Sequence, residues 1–201
     1  MIKPIMIQIT LIFLLLTISG CAKKVDEVVI NQNSTVIAFG DSLTTGFGVP
    51  PEHSYPSVLQ EHLGVTVINE GVSGEVSSKG LARLDSVLRG NFPDLVILCH
   101  GGNDILRKMS RQQLKQNLAD MIELIQSYDA QIILVGVPEP SFSLESLPVY
   151  AELAEEYNLV LDAEILPELL GDPSMKSDKI HLNMAGYKAM ALAISQKIWV
   201  N

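Results

Sequence analysis

Three short strings carry side chains that could cooperate in chemistry. Gly40-Asp41-Ser42-Leu43-Thr44 places a serine hydroxyl just past the apolar run Val36-Ile37-Ala38-Phe39. Gly101-Gly102-Asn103-Asp104 follows a second apolar run, and Asp178-Lys179-Ile180-His181 lies near the C-terminus. A serine hydroxyl is a weak nucleophile until a base stands within hydrogen-bond reach. A histidine three residues after an aspartate can be that base, because one turn of backbone brings the carboxylate to the imidazole Nδ1–H and fixes the tautomer. An asparagine amide adds a neutral donor for the oxyanion that forms on attack. Nucleophile, base, orienting carboxylate and oxyanion donors are the parts of a serine hydrolase. Each string alone has a plainer meaning. Gly-Asp-Ser is good turn and cap chemistry, an isolated Asp-x-x-His is ordinary surface loop, and Asn103 suits a helix cap.

The elements that must position these groups alternate along the chain. Short apolar runs predict strands at 35–39, 65–69, 94–99, 131–137 and 159–162. Helical periodicity falls at about 54–63, 77–89, 111–127, 147–157 and 184–198. Ser110 with Gln113 forms a capping box for the third of these, Ser146 and Pro148 open the fourth, and Asn183 caps the last. Strands alternating with helices of this length imply an α/β fold of three layers, a parallel sheet covered on both faces. Right-handed crossovers put every strand's C-terminal end on one rim. A flavodoxin-like order of five strands then sets the first strand beside the third, and Ser42 near Asn103.

The N-terminus reads as targeting. Lys3 precedes the apolar core Leu11 to Leu16, and Ile18-Ser19-Gly20 leads into Cys21. This is a signal-peptide pattern, too short and wrongly flanked for a spanning helix. Its ending resembles a bacterial lipobox, which implies cleavage before Cys21 and lipidation of that thiol; an ordinary secretory signal with an incidental cysteine is the alternative. The expected organisation is a lipoprotein signal peptide at 1–20, a lipidated tether at 21–34 and a catalytic domain at 35–201. Lipid on Cys21 would hold the protein in the bacterial cell envelope, at the outer membrane and facing the periplasm, since Ala22 is not the aspartate associated with inner-membrane retention.

The 201 residues carry a formal charge of −9. Loss of 1–20 removes only Lys3, leaving 13 basic against 23 acidic residues, or −10. Such an acidic chain is a poor partner for nucleic acid, and its membrane contact should come from acyl chains. With Cys21 lipidated, Cys99 is the only thiol left, inside the apolar run Leu95-Val96-Ile97-Leu98, so no internal disulfide is expected, and no zinc spacing exists.

In order along the chain, Gly40-Asp41-Ser42-Leu43-Thr44, Asn69-Glu70-Gly71-Val72-Ser73-Gly74-Glu75, Gly101-Gly102-Asn103-Asp104 and Asp178-Lys179-Ile180-His181 resemble the four motifs of the SGNH, or GDSL-type, hydrolases. The bacterial arylesterase, thioesterase and lysophospholipase branch is the most similar, and the resemblance runs over about 35–200. It implies the SGNH fold and a catalytic Ser42, His181 and Asp178. The oxyanion hole it implies is built from the N–H groups of Ser42 and Gly74 and the amide of Asn103. It also implies hydrolysis of aryl esters, acyl-thioesters or lysophospholipids through an acyl-serine, with no cofactor and no metal. A carbohydrate O-acetylesterase acting on cell-envelope glycan would use the same motifs. Two departures stand out: Leu182 follows the histidine where the family usually has proline, and His100 precedes the Gly-Gly-Asn run.

Around these groups, Ile105, Leu106, Met109, Phe142 and Leu144 are candidates to contact an acyl chain. Asp41 and Asp104 should brace the rim loops, and Glu139 suits either the groove or a solvated loop. His53 and His62 should face solvent. His100 sits beside the site without an evident carboxylate to orient it. A flavodoxin-like cofactor binder or an idle binding module on the same scaffold would lack esterase activity.

Overall fold

The computed structural model describes residues 27–140 and 144–201. Five parallel strands form the central sheet: β2 (Thr35–Gly40), β3 (Thr66–Gly71), β4 (Leu95–Cys99), β5 (Gln131–Val135) and β6 (Val160–Asp162), in the order β3-β2-β4-β5-β6. The first and third strands of the sheet are therefore neighbours, as expected from the sequence. Register completes the placement. Gly40 lies opposite Gly71 on one side and Cys99 on the other, so three strand ends stop at one level. The loops carrying Ser42, Gly74 and Asn103 leave from that level.

Helices α2 (Tyr55–Leu63), α7 (Ile165–Gly171) and α8 (Met184–Ser195) pack together, as do α3 (Ser77–Asn91), α5 (Arg111–Gln126) and α6 (Pro148–Glu156). Strands β2 and β4 are apolar along their length because both faces are covered; Val36, Ile37, Ala38, Phe39 and Leu95 to Leu98 are fully buried. The Gln113 N–H donates to Ser110 Oγ at 3.3 Å and the Gly186 N–H to Asn183 Oδ1 at 3.0 Å, so both caps form. The Gln113 side-chain amide donates to Asn117 Oδ1 at 2.9 Å rather than returning to Ser110, and the expected capping box is only half made. The third differs: Leu147 occupies the cap position of α6, and Ser146 Oγ is buried without a partner among the described residues. Cys99 is buried and, among the described residues, unpaired.

The domain boundary needs correction. Residues 28–34 are not tether: β1 (Val28–Ile30) pairs in parallel with β7 (Ile198–Val200) to make a second, two-stranded sheet. Val28 and Ile30 are buried and Val29 is exposed, a period of two that three residues are too short to announce in sequence. For the same reason the last helix stops at Ser195 rather than running to 198, and the chain ends as a strand. The signal peptide, Cys21 and the tether as far as residue 26 lie outside the described residues. No helix among the described residues is long and apolar enough to cross a membrane.

Candidate active site

Ser42 opens the four-residue helix α1 (Ser42–Thr45) directly beyond β2. Asp41 caps that helix, accepting the Leu43 N–H at 3.2 Å. The turn is close-packed: a Cβ on Gly40 would stand 2.1 Å from the Cys99 carbonyl oxygen and 2.3 Å from Thr44 Oγ1, so only glycine fits between β2 and β4 here. Leu43 and Thr44 are buried, which locks α1 and aims Ser42 at the rim.

His181 comes from a loop, not a strand end. The loop closes on itself through an antiparallel bridge between Lys176 and Leu182, and the Ser177 N–H donates to the His181 carbonyl at 3.0 Å. Leu182 is fully buried and packs against Gly186 of α8. The leucine that replaces the family's proline therefore anchors the loop by burial. Asp178 Oδ1 accepts the N–H groups of Ile180 and His181, both at 2.8 Å, while Oδ2 meets His181 Nδ1 at 2.7 Å. Burial would raise the Asp178 carboxyl, but the hydrogen bond from His181 and the two backbone N–H groups outweigh it and hold the group below the ordinary carboxylate range. An ionised carboxylate only accepts, so Nδ1 carries the ring hydrogen and Nε2 is left as acceptor. Nε2 lies 3.1 Å from Ser42 Oγ. Ser42, His181 and Asp178 are thus brought into one relay, as the sequence predicted. The Phe47 ring, half exposed, lies 4.4 Å from the His181 ring and flanks the imidazole; nothing in the sequence motifs singled it out.

Asn103 lies on the short helix α4 (Gly102–Leu106), which Gly101 caps. Its Nδ2 donates to Asp41 Oδ2 at 3.2 Å. That bond fixes which way the amide faces and leaves the second N–H hydrogen for another acceptor. Burial pushes the Asp41 carboxyl above its ordinary range, partly offset by the hydrogen bonds from the Leu43 N–H and the Asn103 amide. Gly74 sits at φ +79° in the turn after β3, and its carbonyl accepts from Arg107 Nη2 at 2.9 Å. Among the described residues the N–H groups of Ser42 and Gly74 have no hydrogen-bond acceptor. Asp104 braces the same rim, accepting the Ser77 N–H at 2.8 Å and the Ser77 hydroxyl at 2.6 Å.

A pocket of about 350 Å³ opens beside Ser42, His181 and Asn103. Its walls are apolar, with Leu106, Val137, Pro138, Leu144, Leu170 and Ile180. Lys176 and Lys179 also line it. Both flank Asp178 in sequence, and that spacing could have flagged them. Leu106 and Leu144 are where the sequence placed them. Ile105 is not: it turns to the other side of α4, toward Lys108, Met109 and Leu114. The helix explains the difference, since Asn103 and Leu106 share a face at i, i+3 and Ile105 does not. Met109 belongs with Ile105 on that far side. Phe142 lies outside the described residues. Glu139 is half-buried and pairs with Arg111 at 2.5 Å, away from the pocket. His53 and His62 face solvent, as expected.

His100 has the carboxylate that the sequence did not reveal. Glu75 Oε2 stands 3.1 Å from its Nε2, brought there by the first turn after β3. His100 Nδ1 accepts the Gly101 N–H at 2.9 Å, so Nε2 holds the hydrogen and donates it to Glu75. With both ring nitrogens engaged and the side chain fully buried, His100 cannot act as a rival base. Among the described residues no group of three or more His, Cys, Asp or Glu side chains is placed to hold a metal ion.

The GDSL-like Lipase/Acylhydrolase family matches residues 38–189. An arylesterase of Vibrio mimicus is 32% identical over 174 residues, 81% of this chain and 87% of that protein. Thioesterase 1/protease 1/lysophospholipase L1 of Escherichia coli K12 is 29% identical over 157 residues, 74% of this chain and 76% of the relative. The crystal structure of TesA superposes with a TM-score of 0.74 at 30% identity, covering 81% of this chain and 97% of that one. The chain belongs to the GDSL-like lipase/acylhydrolase family and is a GDSL-type hydrolase of carboxylic esters.

Proposed function

We propose that Ser42 attacks the carbonyl carbon of a single-chain acyl ester or thioester while His181 Nε2 takes its proton. The negative charge on the carbonyl oxygen is met by the N–H groups of Ser42 and Gly74 and the free amide hydrogen of Asn103. The imidazolium, steadied by Asp178, then protonates the leaving alkoxide or thiolate as the bond to carbon breaks. Water enters, gives its proton to Nε2 and attacks the acyl-serine, and collapse of the second tetrahedral species releases the acid and restores the Ser42 hydroxyl. The observation that carries this is the continuous relay from Asp178 to His181 to Ser42, at 2.7 and 3.1 Å, opening into an apolar pocket.

The pocket also supports a substrate class. Its apolar walls suit an acyl chain, at up to about 0.8 kcal/mol per buried CH₂. Lys176 and Lys179 favour a leaving group that carries negative charge near the scissile bond, and neither lysine has an ion-pair partner among the described residues. Lysophospholipids and acyl-thioesters of phosphorylated carriers combine both features, which makes them better candidates than acetylated glycan. The sequence before the domain supports attachment to the cell envelope through lipid on Cys21.

The experiment is a panel of aryl esters from acetyl to palmitoyl, lysophospholipids, acyl-thioesters and acetylated glycans, run on wild type and Ser42→Ala. Turnover should rise with chain length and vanish in the variant, and an organophosphonate should label Ser42. A maximum at acetyl with nothing beyond butyryl would refute the acyl-chain reading in favour of glycan deacetylation, and labelling elsewhere would refute Ser42. Wild type should partition with membranes and Cys21→Ser should not; retention of the variant would refute the anchor.

A further inference from the structure

We propose that His100, Glu75 and Arg83 are positioning residues for the oxyanion hole: one buried node that sets the three donor-bearing loops relative to one another. This rests on the donor roles proposed for Ser42, Gly74 and Asn103. Glu75 follows Gly74 directly, His100 lies three residues before Asn103, and Gly40, whose carbonyl the node also engages, lies two before Ser42. The three loops come from three adjacent strands, β3, β2 and β4, whose paired registers end at Gly71, Gly40 and Cys99. Beyond them the ladder adds the Val72 N–H to the Gly40 carbonyl at 3.0 Å, which ties β3 to β2 but does not reach the β4 loop.

The node is bonded in every direction. Arg83 Nε donates to Glu75 Oε1 at 2.9 Å, and Arg83 Nη2 donates to Glu75 Oε2 at 2.9 Å. Nη2 also donates to the carbonyls of Glu70 at 2.8 Å and Gly40 at 3.4 Å. The guanidinium lies 4.1 Å over the Phe39 ring, so its face is occupied as well as its edge. His100 Nε2 donates to the same carboxylate, its Nδ1 accepts from Gly101, and its carbonyl accepts the Tyr150 hydroxyl at 2.8 Å. Gly80 of α3 is packed against the imidazole so closely that a Cβ there would fall 2.3 Å from Nε2.

Charge does not explain this construction. The imidazole is neutral in the tautomer fixed above, and the Arg83 charge is met by Glu75 at 2.9 Å and Glu70 at 3.5 Å, so it is not directed at the oxyanion site. Geometry does explain it. An oxyanion donor acts only when held about 2.7–3.1 Å from the developing charge, and a shift of about half an ångström wastes much of that interaction. Other bonds also join the β4 side to the β3 turn, from Arg107 to the Gly74 carbonyl and from Ser77 to Asp104. The His100–Glu75 bond is the one that fixes the base of both loops, so breaking it shifts Gly74 and Asn103 relative to each other.

The test uses His100→Leu, which removes the donor, and His100→Gln, whose amide N–H can take the place of Nε2. Gly80→Ala adds a perturbation that pushes the imidazole from outside. Steady-state rates on a short aryl ester should be normalised to active sites titrated with an organophosphonate. We expect His100→Leu to lower kcat about ten- to a hundredfold, less than the full loss of one oxyanion donor at about 10²–10³. KM should stay within about twofold, His100→Gln should recover most of kcat, and Gly80→Ala should resemble His100→Leu. The effect of His100→Leu should shrink in an Asn103→Ala background, because the two changes damage the same interaction. Unchanged kcat per active site would overturn the proposal, even with a lower Tm, since a purely structural role moves only stability and the active fraction. Should His100→Leu fail to fold, the comparison of Gly80→Ala with His100→Gln carries the same two outcomes. Activity surviving in Ser42→Ala would instead remove the nucleophile assignment on which the donors depend.

Discussion

Asp178→Asn should damage catalysis more than Asp178→Ala, despite being the smaller change. The two carboxylate oxygens have separate partners: Oδ1 accepts two backbone N–H groups and Oδ2 accepts from His181 Nδ1. An asparagine keeps its carbonyl oxygen where the backbone donors are, so its NH₂ must occupy the Oδ2 position and face Nδ1. Two donors cannot share that contact. The imidazole is driven to the tautomer with hydrogen on Nε2, and Ser42 loses its acceptor. The cost of holding the wrong tautomer in a triad is about 10⁴ in kcat, or about 5.4 kcal/mol at 1.36 kcal/mol per factor of ten. With alanine the side chain is gone, water can reach the exposed backbone N–H groups, and the imidazole can still adopt the productive tautomer part of the time. Fold stability should differ little, because Asp178 is about half exposed at 47% of its side-chain surface. Initial rates on an aryl ester, with active sites titrated and Tm recorded for each variant, measure the contrast. An asparagine variant keeping a tenth or more of wild-type kcat, or one clearly faster than alanine, would refute the tautomer argument.

The other expectations are briefer. Asn103→Ala should lower kcat about 10²–10³-fold with little change in KM, the usual consequence of losing one oxyanion donor; stopped assays at saturating substrate check it. Leu106→Ala should flatten the rise of kcat/KM with acyl length, costing up to about 0.8 kcal/mol for each CH₂ it no longer covers. Truncation to residue 35 should destabilise the domain, because Val28 and Ile30 each contribute about 1.5–3 kcal/mol of burial, whereas truncation to 27 should not; urea unfolding separates the two. Glu75→Gln should be less stable than wild type at neutral pH and should converge on it in acid. Burial raises the Glu75 carboxyl, but the hydrogen bonds from His100 and Arg83 and the charge of Arg83 bring it below its ordinary range. A depressed folded value means stability fully present above about pH 4.3 and lost as pH falls through the folded value. Melting curves at pH 7 and near pH 3 decide it, and a gap that widens in acid would contradict the sign.

The sheet and the catalytic side chains were legible for one reason: both are written in local patterns. Val36 to Phe39 and Leu95 to Cys99 are unbroken apolar runs because β2 and β4 are covered on both faces, and burial of that kind is visible without knowing the neighbours. The Asp178 to His181 spacing is likewise local, since a single loop holds both residues. What stayed hidden is pairing between distant segments. Val28 and Ile30 are buried only because Ile198 and Val200 come back from the far end of the chain to meet them. Glu75 and His100 are 25 residues apart, and no property of either announces the other. Ile105, a candidate acyl contact by its hydrophobicity, lies away from the pocket for a related reason. Its hydrophobicity was plain, but the direction of a side chain on a one-turn helix depends on where that helix begins, and Gly101 at φ +109° sets that start.

The base and the nucleophile reach each other by different structural means, and this bears on how the site tolerates change. Ser42 is held by the sheet itself: Gly40 is wedged between strands, and Leu43 and Thr44 are buried beneath the rim. His181 is held by a loop whose hold on the body is the burial of Leu182, the Lys176–Leu182 bridge and the Asn183 cap of α8. Loosening this loop moves the base without touching the nucleophile. Leu182→Ala therefore opens a cavity under His181 and should cost about 2–5 kcal/mol of stability, the range for a buried leucine. The 3.1 Å contact to Ser42 Oγ should lengthen at the same time, so kcat should fall while the donors on the sheet side stay in place. The rate of phosphonylation at Ser42 should fall with kcat, because both need the base. By contrast, the affinity for a boronic acid, which binds serine as a tetrahedral anion and leans on the oxyanion donors, should fall less. Equal losses in all three would mean that the loop and the sheet rim move as one body.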